Sequence, residues 1–236
     1  MKISSLIDKL HFTSTINFEG IPQIDLVALR KSIIKVEEKK NKILFREGAY
    51  PKGIYILHKG IIKIYQVNKD GDKQIIYFYG AGELLGYRPL ISEEPNPVTA
   101  ETLEDCVLSF IPKDNFLDVL HKSPALSNLL LKTLSHEFTV WVNIISIFTQ
   151  QSIKENVALA LLLLEEKYGR IHKEGSPIVI NMPRKDFANY VGTTTETLVR
   201  ILRVFKDEKI ISAKGRRILI HDKKKLAFKL GETFFA

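Results

Sequence analysis

Glycines, among them Gly48, Gly53, Gly60, Gly71, Gly80 and Gly82, punctuate the segment from Lys42 to Pro112. Around them lie short β-rich runs: GIYILHKG, IIKIYQV, KQIIYFYG and DCVLSFI. Runs of this length, bounded by residues that suit tight turns, predict several strands rather than helices, and a chain of such strands closes into a small all-β barrel or roll. The clearest hairpin is NKDGDK, where Asp70-Gly71 suits a turn that needs positive φ. Upstream, residues 1–35 place Ile24, Val27 and the Ile33-Ile34 pair at rough three- and four-residue intervals, which predicts short helices.

Beyond Pro112 the period becomes helical, first in KDNFLDVLHKSP and then from Pro124 to about Gln151. In the longer segment Leu131, Leu134, Phe138, Trp141, Ile145 and Phe148 follow a 3-4-3-4-3 spacing, that of a coiled-coil seam between two copies of the chain. The alternative is a long helix packed on its own barrel. A second helix, IKENVALALLLLEEKYG, ends at Gly169 in the manner of a C-cap, followed by a polar link, RIHKEGSP. IVINM reads as a short strand and PRKDFANYVG as a helix opened by Pro183, with Gly192 as the turn after it.

Charge is unevenly placed. The formal net charge is +8; from Ser152 to the end there are 17 Lys+Arg against 10 Asp+Glu, so +7 of it belongs to the C-terminal third. A basic domain favours a polyanionic partner. With one cysteine, Cys106, the chain cannot build a disulfide framework, a four-thiolate zinc site or a cysteine-ligated iron–sulfur cluster within itself. A reducing cytoplasm is the expected compartment. The sequence shows neither a cleavable leader nor an apolar run of membrane-spanning length. The histidines are scattered and suggest no helix-borne metal pair, so no metal site is expected.

The basic third contains TTTETLVRILRVFKDEKIISAKGRRILI, Thr193 to Ile220. Thr193-x-x-Glu196 reads as a capping box that starts a helix at Thr193 or Thr194. Leu198, Ile201, Leu202 and Phe205 then fall on an inward stripe, which leaves Thr195, Glu196, Val199, Arg200 and Arg203 outward. Two helices joined by a glycine turn make a helix-turn-helix whose second helix fits the major groove. Arg200 has the fork for guanine O6 and N7, Glu196 accepts from cytosine N4, and Thr195 bonds a base or touches a thymine methyl. IISAKGRRILI alternates into a two-stranded ribbon with Lys214, Arg216 and Arg217 around its turn. Together with Thr193 and Arg203, these residues suit DNA phosphates. Taken alone, Glu196 and Arg200 would also fit an ordinary i, i+4 surface pair.

DFANYVGTTTETLVRILRVFKDEKII, with GELLG and VTAETLEDCVLSFIP, is similar to the recognition signature and effector-loop flanks of the CRP/FNR family of bacterial transcription regulators. The likeness covers almost the whole chain. It implies a cyclic-nucleotide-binding-like β-roll (double-stranded β-helix, jelly-roll-like), a long dimerisation helix and a C-terminal winged helix-turn-helix, an α+β fold. Arg200 and Glu196 match the two positions that usually read bases in the family, whereas Thr195 stands where cyclic-AMP-responsive members carry arginine. In the effector loop Gly82, Glu83, Leu84, Thr99 and Ala100 match those members, but Val98 replaces the arginine that holds the cyclic phosphate. Without that cation a buried phosphate is poorly compensated, so cyclic AMP is not the expected effector. Tyr87 and Arg88 join Gly82, Glu83, Leu84, Val98 and Thr99 as effector-pocket candidates. Other family sensors use a cysteine-bound cluster or haem; Cys106, in an apolar run, reads as a buried strand residue.

The expected organisation is a sensor roll with N-terminal helices over 1–124, a dimerisation helix over 125–151 and a winged helix-turn-helix over 152–236. The expected function is a cytoplasmic, homodimeric, sequence-specific regulator that binds double-stranded DNA at a two-fold operator and works with RNA polymerase. Its effector is unknown or absent, and no cofactor is identified. No nucleophile elbow, phosphate-binding glycine loop or paired metal-ligand motif points to an enzyme. The alternative is a ligand-binding module whose winged helix contacts another protein.

Overall fold

The computed structural model describes residues 20–169 and 177–230, together with Leu10. Much of the N-terminal segment and most of the polar link expected at 170–177 therefore lie outside the described residues. Contacts divide the chain into two compact units, one containing residues 20–66 and 76–139 and the other residues 67–75 and 140–230. The division falls inside the long helix, whereas the expected boundaries at 124 and 151 coincide with its two ends.

The first unit opens with helix α1 (Gln23–Lys31). Helix was expected to run on through Ile33 and Ile34, but Ile34 begins strand β1 (Ile34–Glu38), which pairs with β8 (Cys106–Pro112) so that Ile34 faces Phe110 and Glu38 faces Cys106. Cross-strand pairing far along the chain overrides the local spacing here. Strands β2 (Ile43–Phe45), β3 (Gly53–Lys59), β4 (Ile62–Val67), β5 (Lys73–Tyr79), β6 (Leu84–Leu85) and β7 (Thr99–Thr102) complete two four-stranded sheets, in the orders β1-β8-β3-β6 and β2-β7-β4-β5. This is the expected roll. Leu57, Ile61, Ile62 and Leu108 fill its interior. The turn before Ile61 requires glycine twice over, since Gly60 has φ +99° and a Cβ there would lie 2.5 Å from Cys106 Sγ. In the NKDGDK turn, Asn68 Oδ1 accepts from the amides of Asp70 and Asp72, and Gly71 takes positive φ.

Helix α2 (Tyr87–Ile91) lies in the β6–β7 connection, and α3 (Lys113–Lys122) leads to the long helix α4 (Pro124–Gln150). Leu29 of α1, Phe116 and Val119 of α3, and Leu126 and Leu130 of α4 form one core cluster with Ile54 and Tyr87.

In the second unit, α5 (Ile153–Gly169) is buried around most of its circumference from Asn156 to Leu164, as a helix at the centre of a small domain must be. A capping box starts it: Ser152 N donates to Glu155 Oε2 at 2.7 Å, and Glu155 N donates back to Ser152 Oγ at 3.4 Å. Gly169 does not take the left-handed conformation expected of a C-cap. Its lack of a side chain instead admits Ile178, whose Cδ1 would sit 3.1 Å from an added Cβ. Strand β9 (Val179–Asn181), helix α6 (Arg184–Val191) and helix α7 (Thr195–Asp207) follow, then strands β10 (Ile211–Lys214) and β11 (Arg217–Ile220) and a short helix α8 (Lys223–Phe228). The expected two-stranded ribbon gains a third strand, because β9 pairs with β11 through Ile180 opposite Ile218. Helix α8 was not expected. Asp222 caps it, and Lys223 anchors it to Glu165 of α5 at 3.0 Å.

Candidate nucleic-acid interface

Gly192, at φ +71°, ends α6 and turns the chain into α7. The cap of α7 is Thr194, whose hydroxyl accepts from Thr197 N at 3.2 Å. The expected Thr193–Glu196 box does not form, because the cap lies one residue later and its partner position is Thr197, which frees Glu196. Leu198, Ile201, Leu202 and Phe205 are buried as expected, while Glu196, Val199, Arg200 and Arg203 are exposed and Thr195 is half-buried. Among the described residues no ion pair joins Glu196 to Arg200; Arg203 lies 4.0 Å from Asp207. The surface pair that would have explained Glu196 and Arg200 is thus absent, and both present free polar groups one helical turn apart.

The wing turns on Gly215 and Arg216, with Gly215 at φ +55° as the first central residue of a II′ turn requires. Lys214 and Arg217 face each other across the ladder, and Lys214, Arg216 and Arg217 are all exposed. Between α7 and the wing lies a groove of about 560 Å³ lined by Arg184, Val199, Arg203, Lys206 and Asp207. Arg184 and Lys206 were missed in the sequence because neither lies in the quoted helix face or ribbon tip; the only signal was their contribution to the local charge. Arg184 reaches the carbonyls of Arg216 and Arg217 at 3.4 Å, and burial pulls its guanidinium below its ordinary pKa.

The effector-pocket candidates are already engaged with the protein itself. Gly82 and Glu83 shape the turn into β6: Gly82 N donates to Leu57 O, and the buried Glu83 carboxylate accepts from Tyr77 Oη at 2.8 Å and from Gly80 N. Leu84 pairs with Ile56 and is core. Tyr87 is fully buried and donates to Glu137 Oε2 of α4 at 2.6 Å. Arg88 donates to the same oxygen through Nε, at 2.7 Å, and Nη2, and to Tyr79 Oη through Nη1. Burial opposes the Arg88 charge, but the tyrosine oxygens and the Glu137 carboxylate hold its pKa above the ordinary value. Val98 is half-buried; Thr99 is buried, its hydroxyl accepting from Glu47 N at 3.1 Å. Among the described residues no cluster of His, Cys, Asp and Glu suits a metal ion, and no helix is long and apolar enough to cross a membrane.

The structure divides the six seam residues. Leu131, Phe138 and Ile145 are exposed at 63%, 70% and 61%, joined by Val142. Leu134 instead packs against the core of its own unit, Trp141 is half-buried and Phe148 packs against Tyr190. Heptad positions after Leu131, Phe138 and Ile145 on the open face are therefore Ser135, Val142 and Thr149, one residue later than the apolar choice.

With this geometry in place, the similarity to known proteins is specific. Residues 35–123 match the cyclic nucleotide-binding domain and residues 157–228 the Crp-like helix-turn-helix domain. The chain is 30% identical to the fumarate and nitrate reduction regulatory protein of Yersinia pestis, over 94% of this chain and 86% of that protein. It is also 30% identical to the anaerobic regulatory protein of Haemophilus influenzae, over 92% and 82% respectively. In fold it resembles FixK2 from Bradyrhizobium japonicum, at 20% identity and a TM-score of 0.72, covering 82% of this chain and 95% of that one. A CRP/FNR transcriptional regulator from Thermus thermophilus aligns at 21% identity and a TM-score of 0.63, covering 84% and 98%. A sensor roll, a long helix and a winged helix-turn-helix in this order, matched along nearly the full length of a regulator, make this chain a member of the CRP/FNR family of transcription regulators.

Proposed function

We propose that the chain is a cytoplasmic homodimer that reads a two-fold DNA operator and acts with RNA polymerase. Helix α7 enters the major groove, with Arg200 bidentate on a guanine, Glu196 accepting from a cytosine amino group and Thr195 on a neighbouring base. Thr193, Arg203, Lys214, Arg216 and Arg217 hold the phosphates, and Arg184 and Lys206 add charge to the same groove. The observation that carries this reading is the uncommitted Glu196–Arg200 pair on the open side of a helix whose opposite side is wholly buried. The dimer forms through Leu131, Phe138, Val142 and Ile145, and its two copies of α7 meet half-sites one helical turn apart, about 34–36 Å. Cyclic AMP is not the effector: Val98 supplies no cation, and Arg88, the nearest substitute in the loop, is already neutralised by Glu137.

The test is selection of bound duplexes from a random pool by the purified protein, followed by single-base substitutions with wild type and Arg200→Ala. The expected motif is a palindrome with a G·C pair in each half-site, at which Arg200→Ala removes ~1–3 kcal/mol of discrimination. Uniform loss across all sequences would refute the role of Arg200. Lys214→Ala is expected to weaken every sequence alike and to lower the salt slope by about 1.

A further inference from the structure

The connection between β2 and β3 borders a cavity of about 230 Å³ that shares no residue with the DNA face, the seam or the Tyr87–Arg88–Glu137 cluster. Its wall is aromatic. The rings of Phe45 and Tyr55 stand 6.4 Å apart, Tyr55 packs on Phe110 at 4.8 Å, and the exposed Tyr50 adds a third ring. Arg46 and Lys52 line the same cavity, both exposed, and among the described residues neither has an ion-pair partner. No carboxylate lines it.

Asn96 contributes to the wall at 2% exposure. Its Nδ2 donates to Ala49 O at 2.7 Å, its amide donates to the same oxygen at 2.9 Å, and its carbonyl accepts from Gly48 N at 2.9 Å. These bonds pin the loop, yet Oδ1 of the same side chain has no partner. That oxygen has no accessible surface, so Asn96 shapes the wall and offers no acceptor to a ligand.

We propose that this cavity binds a monocyclic aromatic carboxylic acid. The ring lies among Phe45, Tyr50 and Tyr55, and the carboxylate meets Arg46 and Lys52. Size supports one ring: drug-sized ligands occupy pockets of roughly 300–1,000 Å³, and this cavity is smaller. Charge selects an acid, because Arg46 and Lys52 line the cavity and no carboxylate does.

The test is saturation-transfer NMR of 4-hydroxybenzoate with the full chain, beside 4-hydroxybenzyl alcohol, which lacks the charge. The acid is expected to bind at least about tenfold more tightly than the alcohol. The double variant Arg46→Gln/Lys52→Gln, both sites exposed, is expected to unfold like wild type in urea and to lose this preference for the acid over the alcohol. No transfer to 4-hydroxybenzoate overturns the site. A preference for the acid unchanged in the double variant overturns the role of the two cations.

Discussion

Arg88 and Glu137, 49 residues apart in sequence, form an ion pair in which one oxygen of Glu137 takes two hydrogens from Arg88 and a third from Tyr87, while the other oxygen has no partner. The pair ties α2, in the β6–β7 connection, to the long helix α4. Its two members are unequally placed, Arg88 being 32% exposed and Glu137 2%.

That inequality predicts unequal mutants. Arg88→Leu strands a buried carboxylate and should cost ~3–5 kcal/mol, whereas Glu137→Leu leaves an arginine that reaches water and a tyrosine hydroxyl without its acceptor, for ~1–3 kcal/mol. The double variant Arg88→Leu/Glu137→Leu should recover part of the Arg88→Leu loss. Urea unfolding of the three variants decides it; Glu137→Leu as the more damaging single change would sink this account.

On the long helix the predictions separate Leu134 from Phe138. Phe138→Glu places a charge on the open face and should give a folded monomer in sedimentation equilibrium. Leu134→Glu buries the charge in the core of its own unit and should lower stability by several kcal/mol, of order ~3 or more. A dimer that survives Phe138→Glu would remove this face from the interface.

Two carboxylates should titrate in opposite directions. The hydrogen bond from Lys39, with that of the Lys40 amide, holds Asp105 below its ordinary pKa. Its contribution to stability is present above the unfolded-state value and is lost as pH falls through the folded one. Burial raises Glu165 despite Lys223, so the folded state keeps that proton longer; its contribution is greatest at low pH and is lost as pH rises through the folded value. Carboxyl NMR should show Asp105 move up in Lys39→Met, and Glu165 titrate above Asp105. An unmoved Asp105 would disprove the pairing.

Cys106 lies in the roll, where burial, with Glu104 beside it, pushes its thiol up to about 12. Reaction with a disulfide reagent at pH 8 should therefore be slow in the native protein and immediate in denaturant. Rapid native labelling would show that β8 opens readily.

Much of this architecture was legible because it rests on local chemistry. Glycine spacing marked the roll, and the stripe Leu198, Ile201, Leu202 and Phe205 fixed which side of α7 faces inward. What escaped depends on distant partners. Ile34 looked helical until β8 supplied a ladder, and IVINM gave no sign of joining the wing until β11 lay beside it. Along the long helix the apolar spacing picked out Leu134 and Trp141, while the exposed face of the single chain carries Ser135 and Val142 beside Leu131, Phe138 and Ile145. Hydrophobicity alone does not say which of two adjacent apolar stripes meets its own domain. At the start of α7 two threonines compete for the cap, and the backbone chose Thr194, so the glutamate that looked like a capping partner became a free acceptor.

The narrow wing has a thermodynamic consequence of its own. A two-residue turn sets Lys214 directly opposite Arg217, and like charges in that position repel, by a few tenths of a kcal/mol or more. An anion seated between them converts this repulsion into attraction on both sides. A polyanion would relieve this mild electrostatic stress in the hairpin, and part of the phosphate affinity proposed for the wing would then arise from the protein's own relaxation.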